Sequence, residues 1–210
     1  ISATPEDVIF TSGATESNNI AIKGVMEAFK DKKNHMVTVQ TEHKCLLESV
    51  RAAQKFGIKV SYIGVNSEGL IDLDELSQSI TDETALVSIM AVNNEIGVMQ
   101  DLENIGKIVK EKDAFFHTDA AQAFGKIPLD VDALNIDLMS VSSHKSYGPK
   151  GVGALYIRSQ PRVPLIPQMS GGGQEKGVRS GTLSPALCVG FGKAADLAIE
   201  LSLSESKRIK

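Results

Sequence analysis

Apolar and polar positions along the chain switch repeatedly between two periods. Short β-rich runs, "DVIFT", "MVTVQT", "IKVSYIGV", "ALVSIMAV", "AFFHTD" and "DLMSVS", alternate with segments of helical spacing. In "KCLLESVRAAQKF" the apolar positions Leu46, Leu47, Val50 and Ala53 follow that spacing. The segments "ESNNIAIKGVMEAFK", "DLDELSQSI" and "DLENIGKIVKEK" read the same way, and "NSEG" marks a turn. This β-α-β-α order predicts an α/β fold, with a central, mostly parallel sheet flanked by helices. The stretch "SQPRVPLIPQMSGGGQ", with three prolines and three consecutive glycines, predicts an extended excursion after the last strand. A helical pattern then resumes in "SPALCVGFGKAADLAIELSLSESKRIK". No internal repeat or low-complexity tract interrupts the pattern.

Composition narrows what such a sheet is used for. With 210 residues and 42% hydrophobic content, the chain suffices for one large domain, or one plus part of another. A formal net charge of -4 and the lack of a long basic run argue against nucleic acid as a partner. No run of about 18 apolar residues points to a membrane, and "ISATPEDVIF" lacks the zones of a signal peptide. Cys45 and Cys188 form no CxxC pair, so neither a disulfide framework nor a metal site is expected, and a reducing compartment fits.

In open α/β sheets ligands bind where the loops gather, at the carboxyl ends of the strands. The polar residues that follow each β-run are therefore the candidates. They are Ser12 to Thr15, then Glu42-His43-Lys44, Asn93-Asn94-Glu95, Asp119 with Gln122, and Ser142, His144 and Lys145. Gly13, Ala14 and Thr15 lie where a strand becomes a helix, so free backbone N–H groups can face an anion there. Neither GxxxxGK[ST] nor GxGxxG is present, which weakens a nucleotide reading. On an extended segment Ser142 and His144 would share one face and bind the same phosphate, with Lys145 pointing the other way. An amine beside a phosphate seat, opposed by the strand-end carboxylate Asp119, is the arrangement that pyridoxal 5′-phosphate (PLP) requires.

The segments "TSGATESNN", "TEHK", "VNNEIGV", "HTDAAQ", "SHKSYGPKG" and "GGGQEKGVRSGT" resemble, in order and spacing over nearly the whole chain, the cysteine desulfurases of the mitochondrial and bacterial iron–sulfur assembly type. The resemblance implies the large domain of a fold-type-I PLP-dependent transferase. Residues 1–185 would form the PLP-binding large domain, incomplete at its N-terminus, and 186–210 the start of the helix leading to a smaller C-terminal domain. Lys145 would carry the cofactor covalently, Asp119 would pair with its ring nitrogen, and His43 would stack on the ring and move protons. Gln122 would bond the phenolic oxygen, Asn94 would lie beside cofactor and substrate, and Ala14, Thr15, Ser142 and His144 would hold the phosphate. Thr182 would reach the phosphate of a neighbouring subunit, making a homodimer with shared active sites.

The same resemblance implies L-cysteine as substrate, alanine as product, and sulfur passed on as an enzyme persulfide to scaffold and sulfur-carrier proteins. It places the protein in the mitochondrial matrix, or alternatively in the bacterial cytoplasm. Its alternatives are a selenocysteine lyase, another class V PLP enzyme, or a non-catalytic remnant that binds PLP or a partner protein. The family's persulfide cysteine and substrate-carboxylate arginine lie downstream of these residues, so the sequence reads as a fragment. Ser143 and Ser146 replace residues that are often Gly and Ile in the family, with little expected effect. Cys45, two residues from His43, invites a thiolate–imidazole reading. Its place beside Leu46 and Leu47 in a first helical turn favours a small buried thiol instead.

Overall fold

The structure, a computed structural model, describes residues 1–209. Seven strands form one sheet: β1 Val8–Thr11, β2 His35–Val39, β3 Lys59–Ile63, β4 Thr84–Ser88, β5 Phe115–Asp119, β6 Leu138–Ser142 and β7 Gly153–Ile157. Their order across the sheet is β1-β7-β6-β5-β4-β2-β3. β7 runs antiparallel to both of its neighbours, whereas β6, β5, β4, β2 and β3 are parallel. All strands but β7 therefore aim their carboxyl ends at one rim.

Alternate side chains of the central strands go to opposite faces, the consequence of a two-residue period. Met36, Leu86 and Leu138 pack with Ile22, Val25 and Met26 of helix α1 (Ala14–Phe29) and Leu46 and Val50 of α2 (Lys44–Gln54). Their neighbours Val37, Val87 and Met139 pack on the other face with Leu76 of α3 (Leu73–Ser79), Ile105 and Val109 of α4 (Leu102–Glu111), and Phe191 of α5 (Pro185–Ile209). A sheet covered twice explains why its inner strands β2, β4 and β6 are buried along their whole length. The helix and strand runs read from the sequence fall on these elements.

Two local features depart from the sequence reading. Strand β7 comes from "GALYI", which the alternation did not single out, and it is the reversed strand. The extended segment also stops at Ser142, because Ser143–Ser146 form a 3-10 turn that ends on Tyr147 in the left-handed conformation. Past β7 the chain does run without regular elements until the short 3-10 turn Glu175–Gly177, as its prolines and glycines predict.

Helix starts also differ in a way that bears on the site. α3 and α4 open on Asp72 and Asp101, whose carboxylates accept the first-turn N–H groups, and α2 opens on His43. α1 opens on Gly13, which has no side chain to do so and sits at φ 146°, a conformation that favours glycine. Its first-turn N–H groups have no carbonyl one turn earlier to bond.

Candidate active site

The strand rim encloses a cavity of about 510 Å³, within the range typical of small-molecule sites. Ser12 to Glu16 line it from the β1–α1 turn, His43 and Cys45 from the start of α2, and Met90 and Asn94 from beyond β4. Asp119, Ala121 and Gln122 enter from the end of β5, and Ser142, His144, Lys145, Lys150 and Gly151 from the β6–β7 connection. The residues proposed from the sequence to touch one subunit's cofactor thus converge on one pocket. Thr182 does not line it and is exposed.

The prediction that Lys145 faces away from Ser142 and His144 fails. The 3-10 turn replaces the two-residue alternation, so all three residues reach the same cavity. Ser142 Oγ and His144 Nδ1 lie 2.9 Å apart. Gly13 stands directly against this pair, since a Cβ there would come within 3.7 Å of Ser142 Oγ. Beneath it, a Cβ on Gly153 would meet the Cα of Gly13 at 2.6 Å. Two glycines therefore let the uncapped start of α1 settle onto β6 and β7, forming a cradle of N–H and hydroxyl groups suited to a phosphate. Burial and the charges of Lys145 and Lys150 push the His144 imidazole down, which suits a hydrogen-bonding neutral ring.

At the floor, Asp119 is 4% exposed. Its Oδ1 accepts the Ala121 N–H at 2.9 Å and its Oδ2 accepts the Asn18 amide at 2.7 Å. Burial pushes this carboxyl up, with Ala121, Asn18 and His43 pulling back. A buried carboxylate without a full counter-charge is a receptor for a cation. Glu42 lies close by, buried, with Oε1 accepting the Met90 N–H at 2.6 Å and Oε2 without a partner among the described residues. Burial and the nearby Asp119 push Glu42 well above the carboxylate range, favouring its neutral acid. The sequence reading put Glu42 among the strand-end residues without a role and missed Asn18, whose contact with Asp119 spans 101 positions.

Cys45 is half-buried in the pocket wall rather than sequestered in the core. Its Sγ lies 3.0 Å from His43 Nδ1 and 3.3 Å from the Asn18 amide. The same His43 nitrogen accepts the Cys45 N–H at 3.1 Å, so it is committed as a helix cap. Burial pushes the thiol up, and Asp119 and Glu42 add to the rise. A thiol so held is a poor nucleophile. Cys188, on α5, packs against the core cluster. Among the described residues no cluster of His, Cys, Asp and Glu could hold a metal ion, and no helix is long and apolar enough to cross a membrane.

A sheet of this order, with an amine, a buried carboxylate and a phosphate cradle at its rim, defines a fold-type-I PLP domain. The family model for class-V aminotransferases matches residues 1–210, and the chain belongs to that family. Its members work through PLP.

Among similar proteins, the chain is 59% identical over 210 residues to the mitochondrial cysteine desulfurase of Candida maltosa, covering 100% of this chain and 43% of that protein. It is 56% identical over 209 residues to the cysteine desulfurase IscS of Rickettsia rickettsii (strain Iowa), covering 100% of this chain and 51% of that one. The solved structure of SspA in complex with cysteine superimposes with a TM-score of 0.89 at 45% identity, over 92% of this chain and 56% of that one. The chain thus spans about half the length of the relatives it matches.

Proposed function

We propose that these residues form the cofactor-binding domain of a cysteine desulfurase. The observation that carries this reading is the convergence of Lys145, Asp119, His43 and the Gly13–Thr15 and Ser142–His144 cradle on one cavity. Lys145 would hold the cofactor covalently through its amine, and the same amine could move a proton at the substrate α-carbon. Asp119 presents its buried carboxylate to the ring nitrogen, and Asn18 and the Ala121 N–H fix its two oxygens. Ala14, Thr15, Ser142 and His144 bind the phosphate, Gln122 bonds the phenolic oxygen, and Asn94 flanks the substrate. With Nδ1 committed to the start of α2, His43 offers its ring face and Nε2 to the cavity. When bound, PLP supplies an electron sink for the carbon that carries the amino group.

The overall exchange consumes L-cysteine and an enzyme thiol and yields alanine and an enzyme persulfide. The C–S bond of cysteine breaks, an S–S bond forms on the acceptor, and the thiol proton leaves with the alanine. Neither Cys45, held protonated in the wall, nor Cys188, packed on the core, suits the acceptor's part, which we assign to a cysteine outside residues 1–210. The reading extends to a homodimer in which the exposed Thr182 meets the neighbouring subunit's phosphate. It includes delivery of sulfur to iron–sulfur scaffold and carrier proteins, in the mitochondrial matrix or the bacterial cytoplasm, the settings its relatives suggest. Incubating the full-length protein with PLP, L-cysteine and a thiol reductant should release alanine and sulfide in equal amounts. A protein that binds PLP yet forms no alanine from cysteine contradicts the assignment.

A further inference from the structure

Glu16 is a misfit in a phosphate seat. It occupies the first turn of α1, lines the cavity next to Ala14 and Thr15, and has a side chain only 15% exposed. An unpaired carboxylate there would repel a phosphate dianion through a partly desolvated medium, where charges are weakly screened. The chain answers with a residue 163 positions away. Arg179 Nε donates to Glu16 Oε1 at 2.8 Å, and Nη2 lies 3.5 Å from Oε2. The guanidinium is itself 16% exposed, and its Nη1 donates to the Gly181 carbonyl at 3.2 Å. The second Glu16 oxygen accepts the Ser12 N–H at 2.5 Å, so the pair also fixes the turn that shapes the cradle. Burial pushes Glu16 up, yet Arg179 and Ser12 hold it below the usual carboxylate range, so it remains ionised.

Resting on the PLP reading above, we infer that Arg179 is a positioning residue for the phosphate seat, which neutralises Glu16 and ties the 173–182 segment to the β1–α1 turn. The segment is knitted for this purpose. Gly181 N–H donates to Gln174 Oε1 at 2.9 Å, Lys176 bonds the Glu6 carbonyl, and Glu175 accepts the Phe10 N–H of edge strand β1 at 2.6 Å. Thr182 follows directly, so the same ion pair sets the distance between one cradle and the residue proposed to reach another.

The test compares dissociation constants of PLP and of pyridoxal, which lacks the phosphate, for the full-length wild type, Arg179→Gln, Glu16→Gln and the double variant. Arg179→Gln should weaken PLP by about tenfold or more, because it leaves a half-buried carboxylate uncompensated beside the phosphate. Glu16→Gln should bind PLP at least as tightly as wild type, and the double variant should return to within about threefold of it. Pyridoxal affinity should be equal in all four proteins. Unchanged PLP affinity in Arg179→Gln, a double variant as weak as the single one, or an equal loss for pyridoxal would overturn the inference. If Arg179→Gln does not fold, the double variant decides alone: folded and PLP-binding supports charge compensation, while unfolded or PLP-free contradicts it. Failure of the wild type to bind PLP would instead defeat the cofactor reading itself.

Discussion

The four histidines fall into two pairs that occupy different regions of the same sheet. Inside the sheet, His117 on β5 bridges Ser88 Oγ at 2.8 Å and Ser140 Oγ at 2.9 Å, linking β4, β5 and β6. His35 on β2 likewise meets Thr84 Oγ1 at 2.7 Å and Ser61 Oγ at 3.0 Å. At the rim, His43 and His144 use only Nδ1, toward Cys45 and Ser142, and among the described residues Nε2 has no partner. A histidine with both ring nitrogens satisfied is a structural cross-link. One held by a single nitrogen and open to a cavity is available for chemistry.

The carboxylates repeat the contrast. Asp137, half-buried beside Arg158, has its charge answered at 3.2 Å and accepts the Phe116 N–H at 2.9 Å. Asp119, one of the pocket's floor groups, has hydrogen bonds but no cation of comparable closeness among the described residues. His35, His117 and Asp137 thus find their partners within and beside the sheet, while His43, His144 and Asp119 keep a nitrogen or a charge open toward a ligand.

The sharpest way to break this distinction is at Asp119. Asp119→Asn keeps the shape and the Asn18 neighbourhood but removes the charge offered to a ring nitrogen. The loss is about 3 kcal/mol of ion pairing, roughly a hundredfold in turnover, with PLP still bound. Steady-state rates beside PLP titrations would show it, and near-normal turnover would refute the role.

The interior pair makes the opposite prediction, a stability effect with a pH signature. Burial pushes His117 from 6.5 down to about 3. Its folded value is depressed, so its contribution is fully present above pH 6.5 and is lost as pH falls toward 3, because the unfolded chain takes up the proton first. Denaturant unfolding should show an acid slope from this group of up to about 1.4 kcal/mol per pH unit. His117→Gln should lose about 1–3 kcal/mol at neutral pH and flatten that slope, with PLP affinity unchanged. An identical acid slope in the variant would sink this account of the interior.

The smallest expected effect belongs to Cys45, which sits at the rim yet is held as an inert thiol. Cys45→Ser in the full-length protein should retain turnover within about twofold. Loss of most activity, together with a persulfide mapped to that residue, would return Cys45 to the acceptor's part.

Much of this arrangement is legible in the sequence, for a physical reason. Alternating strands and helices force the loops after β1, β2, β4, β5 and β6 to one rim, so the residues ending each β-run can be gathered without knowing any contact. What stayed hidden is what no local pattern encodes. Asn18 looks like an ordinary helix residue until the fold brings it to Asp119. Glu16 reads as a first-turn carboxylate until Arg179 arrives from the far end of the chain. "GALYI" begins on a glycine that serves close packing against Gly13, so its strand character is muted. The direction of Lys145 depended on a 3-10 turn that alternation could not foresee.

The central claim is that Lys145 is the amine that anchors the cofactor, and Lys150, on the wall of the same cavity, is its natural competitor. Treating the PLP-loaded full-length protein with sodium borohydride, then mapping its peptides by mass spectrometry, decides between them. The account predicts a pyridoxyl mass on Lys145 and its disappearance in Lys145→Ala. A label on Lys150 or another lysine, or one that persists in Lys145→Ala, would contradict it.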